Sequence, residues 1–169
     1  HKKNFFEDLK KIIHHNNSPL CTISYYLHWM MIKEISKNGF KVCLSGVGAD
    51  EIFSGYYDHH LLYLNEVYKN KKLFQKSLNY WKLNQMKNIQ NSFLKDPYLY
   101  INNKNFRDHI FFNKKIIDTF FLKKNKTRFN EKKFSRNQMK NRMLNELYNE
   151  TVPPMLHDDD LNSMSFSVE

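Results

Sequence analysis

The four glycines of this 169-residue chain mark the stretch in which its chemistry is concentrated. All of them lie between residues 39 and 57, in the run GFKVCLSGVGADEIFSGYY. Glycine adopts positive φ and lets backbone approach a ligand closely, so a chain that confines its glycines to one place needs unusual backbone there. Within the run, residues 45–50 form a small-residue loop whose consecutive amides could cradle a phosphate.

This loop matches no generic nucleotide-binding motif. The chain has no G-x-x-x-x-G-K-[ST], and Glu51 stands where a G-x-G-x-x-G motif would need its third glycine. A tight strand-to-helix connection, with two glycines serving only the turn, explains the same spacing. Spacing alone therefore leaves both interpretations open.

The elements around the loop are those of an αβ unit. Residues 22–38 carry apolar side chains at helical spacing, with Thr22 as a candidate N-cap and Gly39 as the C′ residue. Residues 40–44 form a short apolar run with the β-branched Val42, which predicts a buried strand. Ligands of open α/β sheets bind outside the carboxyl ends of the strands, so we expect the site in the following loop.

Two segments carry a resemblance to a known family. LSGVGADEIFSGY, residues 44–56, closely resembles the L-S-G-x-G-x-D-E-x-F-x-G-Y signature of the asparagine synthase (glutamine-hydrolysing) family. DLNSMSFSVE, residues 160–169, resembles that family's D-R-x-S-M-x-x-x-x-E segment. The two segments follow in the family's order. The resemblance covers most of the chain from residue 18 onward and is weaker between residues 61 and 140.

The resemblance implies a fold and a domain organisation. The family's synthetase domain is adenine-nucleotide α-hydrolase-like, so we expect an α/β, Rossmann-like fragment with one or two parallel strands, followed by a mainly helical part. Residues 1–57 would be the nucleotide-binding portion of this partial synthetase domain and residues 58–169 the helical portion. The chain starts at His1 without an initiator Met and stops at Glu169. These ends favour a piece of a longer protein, with a glutaminase domain expected upstream.

The resemblance also implies an activity, namely activation of a small-molecule carboxylate by ATP as an acyl-adenylate and its amidation with glutamine or ammonia. The implied cofactors are ATP and Mg²⁺. The implied ATP-binding residues are Ser45, Gly46, Val47 and Gly48. The implied metal ligand is Asp50, a role that suits a hard carboxylate. The residues implied to support the site are Glu51, Asp160 and Glu169, and Ser163 also matches the second motif.

The chain departs from the family pattern in two ways. Val47 replaces the glutamate that synthetases acting on aspartate usually carry between the loop glycines, and valine neither accepts a proton nor binds a cation. The acceptor could therefore be aspartate or the acid of another amidotransferase, such as a surface-polysaccharide sugar acid, a β-lactam or a lasso-peptide precursor. The sequence also has no S-G-G-x-D-S pyrophosphate loop. We expect this piece to be inactive on its own.

Charge, cysteine content and hydropathy bear on the other classes of function that the chain could have. The net charge of +10 could mark a nucleic-acid surface, but the lysines alternate with Asn, Ile, Phe and Tyr, as expected of A+T-rich coding bias or a solvated face. A noncatalytic helical interaction domain is the other alternative. Cys21 and Cys43 give no disulfide framework, which indicates a reducing, cytoplasmic setting. No apolar run is long enough to span a bilayer.

The rest of the sequence predicts helices. Helical spacing covers residues 61–68, 73–86, 106–121 and 138–150, and His14 and His15 are expected to break a first helix. An aromatic stripe that includes Trp81 is expected to be core. The acidic residues 158–160 could either ligate a metal or cap the last helix, and we favour Asp160 as that cap.

Overall fold

The computed structural model describes residues 4–110, 119 and 130–169. These residues divide into two compact units. The terminal unit comprises the chain up to residue 48 together with residues 147–169, and the central unit comprises residues 49–146. No helix in the described part of the chain is long and apolar enough to cross a membrane.

The terminal unit contains three of the helices. They are α1 (Phe5–Asn16), α2 (Ser24–Lys37) and α8 (Val152–Met164). Their buried core is formed by Ile12, Tyr26 and Trp29, against which Phe5, Leu20 and Phe166 pack. The predicted helix is present, but its buried side is formed by Tyr25, Tyr26 and Trp29. Of the apolar residues at helical spacing, only Tyr26 is buried, whereas Ile23, Leu27, Met30 and Met31 are exposed.

The predicted stop at Gly39 is confirmed. Gly39 has φ 83°, and its amide N lies 2.9 Å from Ser36 O while Phe40 N lies 3.3 Å from Ile35 O. This pair of bonds is the Schellman motif, which satisfies the last carbonyls of a helix. The predicted break at His14 is wrong, because α1 continues through both histidines to Asn16 and is capped by Asn17, which has φ 50°.

The predicted parallel sheet is also wrong, because the regular elements of the described residues are all helical. Residues 40–46 form no strand. The alternating side chains of this run are exposed instead of buried, at 63% for Phe40, 66% for Val42 and 97% for Leu44. A strand needs hydrogen-bonding neighbours as well as apolar side chains. Among the described residues, Phe40 bonds back to Ile35 of α2, and the other backbone partner of the run is Glu169, at Lys41 and Cys43.

The central unit contains the remaining α-helices. They are α3 (Ala49–Phe53), α4 (Tyr57–Val67), α5 (Lys71–Asn84), α6 (Leu99–Asn102) and α7 (Gln138–Asn145). Short 3₁₀ segments occur at Met86–Asn88, Ser92–Lys95 and Asp108–Ile110, and a π-helical turn follows α7 at Glu146–Glu150. The predicted helix over residues 106–121 falls mostly outside the described residues.

The core of the central unit confirms the structural interpretation of the aromatic stripe. Trp81 is buried on α5 and packs with Leu61 of α4. Asn70 caps the start of α5, because its side chain accepts from Leu73 N at 3.1 Å. The other buried members of this cluster are Leu62, Leu64, Phe74, Leu78, Ile89, Leu94 and Tyr100. The apolar residues of α4 and α5 recur at helical spacing, so each helix has an apolar face, and these two faces pack against each other.

Candidate functional site

The loop predicted to bind ATP has an exposed start at Ser45 and Gly46, and its backbone conformation depends on Gly48. Gly48 is buried and has φ 90°, a conformation that side chains rarely adopt, so the turn into α3 needs glycine there. Ser45 Oγ accepts a hydrogen bond from Val47 N at 3.2 Å. The amides of Ser45 and Gly46 have no protein partner among the described residues. These amides are therefore able to donate to an anionic ligand.

Asp50 occupies the second position of α3, and Gly55 makes room for its side chain. The chain reverses at Ser54, which has φ 63°, so that Gly55 N bonds Asp50 O at 2.9 Å. A Cβ placed on Gly55 would lie 1.9 Å from Asp50 Oδ1. The glycine of the S-G-Y segment is therefore required by the close approach of the Asp50 carboxyl group, which is exposed.

Glu51 supports this turn from inside the central unit. Its residue is 2% exposed, and the Tyr56 hydroxyl donates to Glu51 Oε1 at 2.5 Å. Burial, followed by this hydrogen bond and the charge of Glu51, raises the pKa of Tyr56 far above its ordinary value. The phenol therefore stays protonated and keeps donating to the carboxylate, which ties the start of α3 to the start of α4.

The end of the second motif lies beside the run that precedes the loop. Ser167 has φ 52°, and Val168 N bonds Ser163 O at 3.1 Å, which turns the backbone after α8. Glu169 N then bonds Lys41 O at 2.8 Å, and Cys43 N bonds Glu169 O at 2.5 Å. This reciprocal pair is the pattern of one parallel β-type pairing. It brings the two motif-bearing segments together within the terminal unit.

Asp158, Asp159 and Asp160 lie in three different environments. Asp158 is buried, and burial raises the pKa of its carboxyl group. Asp159 Oδ1 lies 2.9 Å from His28 Nδ1, whereas Asp160 is exposed. All three lie in the interior of α8, so the prediction that Asp160 caps this helix is wrong. The helix begins at Val152, with Pro153 and Pro154 in its first turn.

A buried charge network in the central unit is absent from the sequence-based predictions. Arg142 of α7 donates to Asp58 Oδ2 of α4 at 2.8 Å and, through Nε, to Glu131 Oε1 at 2.6 Å. Arg107 also donates to Glu131, and His109 Nε2 lies 3.6 Å from Asp58 Oδ2. The guanidinium of Arg142 therefore bridges two carboxylates in the interior.

The pKa values of this network follow from its charges. Burial alone would raise the pKa of Asp58, but His109, His59 and Arg142 outweigh burial and lower it. The pKa of Glu131 is likewise lowered, because Arg142 and Arg107 outweigh the effect of burial. Both carboxylates are consequently ionised across the neutral range, as a buried ion pair requires.

The network also contains the one group of potential metal ligands found among the described residues, namely Asp58, His59 and Glu146. Their ligand atoms lie within 4.8 Å of one another. His59 Nε2 is already 2.7 Å from Glu146 Oε2, and Asp58 is occupied by Arg142. Burial raises the pKa of Glu146 despite the opposing effect of His59. Asp58 Oδ2, His59 Nε2 and Glu146 Oε2 are therefore already engaged by protein partners.

The sequence does contain a signal for this network. Asp58 precedes Leu61 and Leu62 at the spacing of one helix face, which places a carboxylate on an apolar stripe. The spacing over residues 138–150 predicts one apolar side, formed by Met139, Met143, Leu144, Leu147 and Tyr148. The buried residues there are instead Arg142, Asn145 and Glu146, because α7 meets acceptors and donors of the facing chain, including the backbone of Lys132.

Comparison with known proteins identifies the family. Residues 1–169 match the family described as Asparagine synthase. This chain belongs to the asparagine synthase family over its whole length. Neither the search of curated proteins nor the search of solved structures found a match. The family assignment agrees with both quoted motifs, whereas their site roles remain predictions.

Proposed function

We propose that the chain contributes to an ATP-dependent ligase that activates a carboxylate as an acyl-adenylate and converts it into an amide. Family membership and the glycine-built turn support this proposal, because the exposed amides of Ser45 and Gly46 are free to donate where an anionic nucleotide would need them. The single observation that carries it is the fit of Gly55 to Asp50, which accounts physically for a motif glycine beside an exposed aspartate.

ATP and Mg²⁺ fit the residues present. Ser45, Gly46 and Gly48 would hold the nucleotide through backbone donors, with Val47 at the same turn, and Asp50 would supply a hard oxygen ligand to Mg²⁺. When bound, the nucleotide and its metal supply the electrophilic phosphorus and the charge neutralisation that adenylation needs. Glu51 would hold the turn through its bond with Tyr56, while Asp160 and Glu169 would act in support.

The residue between the two loop glycines, Val47, bears on which acid could be the acceptor. Val47 is half-buried and offers no side-chain donor or acceptor. A loop with valine cannot assist proton transfer or bind a cationic group at this position. We therefore propose that the acceptor is either aspartate, handled without help from this position, or another carboxylate such as a surface-polysaccharide sugar acid. Glutamine or ammonia would supply the nitrogen.

Pyrophosphate release tests the proposal. The intact gene product that carries these residues is incubated with ATP, Mg²⁺ and either glutamine or ammonium chloride, and candidate carboxylates are added, aspartate first. We expect pyrophosphate to form only with one class of acid. Asp50→Asn should lower that rate by at least a hundredfold, because the metal loses a ligand.

The matched control is Glu7→Gln, which also removes one carboxylate from an exposed helix position, with a side chain 69% exposed. It should leave the rate unchanged. If no acid supports pyrophosphate release, or if Asp50→Asn is as active as Glu7→Gln, the ligase assignment is wrong and a noncatalytic interaction domain becomes the better assignment.

A further inference from the structure

We propose that the central unit carries a second binding site, a cavity between α4 and α5 that takes a small organic anion with a flat apolar body. The cavity has a volume of about 460 Å³, within the range of about 300–1,000 Å³ found for small-molecule sites. Its lining includes none of the residues predicted to bind ATP or Mg²⁺. This site is therefore an addition to the ligase function.

The walls of the cavity favour a flat apolar ligand. Three aromatic side chains line it, Tyr63 from α4 and Tyr80 and Trp81 from α5. Leu64 and Leu73 add aliphatic surface to the same walls. Aromatic faces contribute large contact areas and prefer flat partners that stack or meet them edge-on. A ring-bearing ligand would consequently gain more from this lining than a flexible polar one.

Two buried ring nitrogens on the lining residues lack hydrogen-bond partners. Trp81 Nε1 and His59 Nδ1 are both inaccessible and have no partner among the described residues. An unpaired buried polar group costs about 1–3 kcal/mol, so such groups are rare unless a ligand or water completes them. Indole N–H can only donate. Because Nε1 is itself closed to solvent, a ligand that fills the cavity would contact other atoms of the Trp81 ring.

The charge of the lining favours an anion. Lys76 contributes a cation, and no carboxylate is among the cavity-lining residues, all of which are described. His60 also lines the cavity, and burial followed by the charge of His59 lowers its pKa, so near neutral pH it is an uncharged hydrogen-bonding group. Ser77 adds a hydroxyl beside Lys76 on α5. A carboxylate on the ligand would meet these donors at the mouth.

Indole NMR signals of the full 169-residue chain test the site directly. The chain has two tryptophans, and Trp29 lies in the other unit, so a Trp29→Phe variant assigns the Trp81 signal. The ¹⁵N-labelled protein is titrated with phenylacetate and 2-naphthoate, and with the neutral phenylacetamide. We expect the Trp81 signal to shift saturably with at least one anion, while the Trp29 signal reports that the fold is unchanged.

Lysine variants test the role of charge. Lys76→Gln should weaken binding of the anion about tenfold, the loss expected for one charge-assisted hydrogen bond, and should leave phenylacetamide unaffected. Lys82→Gln, on the same helix and outside the lining, is the matched control and should bind like the unaltered chain. The proposal is overturned if neither anion shifts Trp81 saturably, if the amide binds as tightly as the acid, or if both lysine variants behave alike. None of these outcomes depends on ATP or turnover.

Discussion

Gly55 shows how one residue type can be dictated by a neighbour several positions away. Any Cβ at position 55 collides with the Asp50 side chain and approaches its Cα within 2.9 Å. We expect Gly55→Ala to lower the free energy of unfolding by about 1–3 kcal/mol, the usual cost of overpacking. Urea denaturation followed by circular dichroism measures this loss.

Gly46 provides the matched control for that substitution. A Cβ at Gly46 meets nothing within 4 Å among the described residues, and its φ is not positive. Gly46→Ala should therefore change stability by less than about 1 kcal/mol, and in the stabilising direction. Equal losses in the two variants would show that the contact with Asp50 does not constrain position 55.

The sequence predicts some of the positions with unusual backbone conformation and misses others. The confinement of all glycines to one stretch predicts unusual backbone there, and Gly39 and Gly48 indeed have positive φ. Ser54 and Ser167 also have positive φ, which sequence reasoning did not anticipate. Serine carries no pattern that announces a left-handed conformation, because the conformation is imposed by the hydrogen bonds of the turn around it.

At the scale of elements, the turn after α8 depends on Ser167. With φ 52°, this residue pays a steric cost that glycine avoids and that β-branched residues increase. We expect Ser167→Val to lower the melting temperature and Ser167→Gly to hold or raise it, with a difference of about 1 kcal/mol or more between the two variants. Differential scanning calorimetry gives both values. Identical melting temperatures would mean that φ at this position does not limit stability.

The contact of α4 with α7 depends on a buried ion pair. Removing one partner leaves the other charge buried, so Asp58→Asn and Arg142→Met should each cost about 3–5 kcal/mol. The double variant should cost clearly less than the sum, because neither charge is then stranded. Urea midpoints of the four proteins complete the cycle, and additive losses would contradict a direct coupling.

Helix α7 also shows why its inward face was predicted only in part, because Met139 packs against the core as predicted but the buried residues of the helix are Arg142 and Asn145. Apolar spacing placed Met139 and Met143 inside, a prediction that assumes an apolar neighbour. The facing chain instead offers the carboxylates of Asp58 and Glu131, and these select Arg142. The periodicity of a single helix carries no information on the polarity of its partner, so only three-dimensional contact reveals the polar face.

For the whole molecule, the charge network predicts acid sensitivity. Asp58 and Glu131 have folded-state pKa values below their usual range. A lowered carboxyl pKa gives stability that is fully present above the unfolded-state pKa and is lost as the pH falls through the folded-state value. Unfolding free energies should therefore drop from about pH 4 downward. Urea titrations between pH 3 and 7 measure this slope.

Glu146 has the opposite effect on the pH dependence of stability, so its variant provides a check on the acid slope. Its pKa is raised, mainly by burial, so its contribution to stability declines as the pH rises above the ordinary carboxyl range. Glu146→Gln should remove that decline and keep the loss in acid. The double variant Asp58→Asn, Glu131→Gln should flatten the acid slope. An unchanged acid slope in the double variant would assign the effect to other carboxylates.

The fold as a whole was predictable where it depends on local pattern and not where it depends on distant partners. Helical spacing indicated α2, α4 and α5, and Gly39 indicated the end of α2, because those signals lie in or beside the helix itself. The predicted N-cap at Thr22 is wrong, because Ile23 precedes the first residue of α2. The prediction of a parallel sheet was wrong, because residues 40–44 have strand-like side chains but no neighbouring strand in the described part of the chain, and a ladder requires one. The functional motifs were recognisable from residue types at fixed positions, and the chain matches the asparagine synthase family.

The pairing of Glu169 with Lys41 and Cys43 makes one amide a reporter of the terminal unit. Cys43 N–H is held by Glu169 O, whereas Ser45 and Gly46 N–H have no partner in the described chain. In deuterated water the Cys43 proton should exchange slowly and the two loop protons within seconds. The exchange rate of the Cys43 amide proton then reports how often its hydrogen bond to Glu169 O opens. The frequency of this local opening can be followed as nucleotide is added.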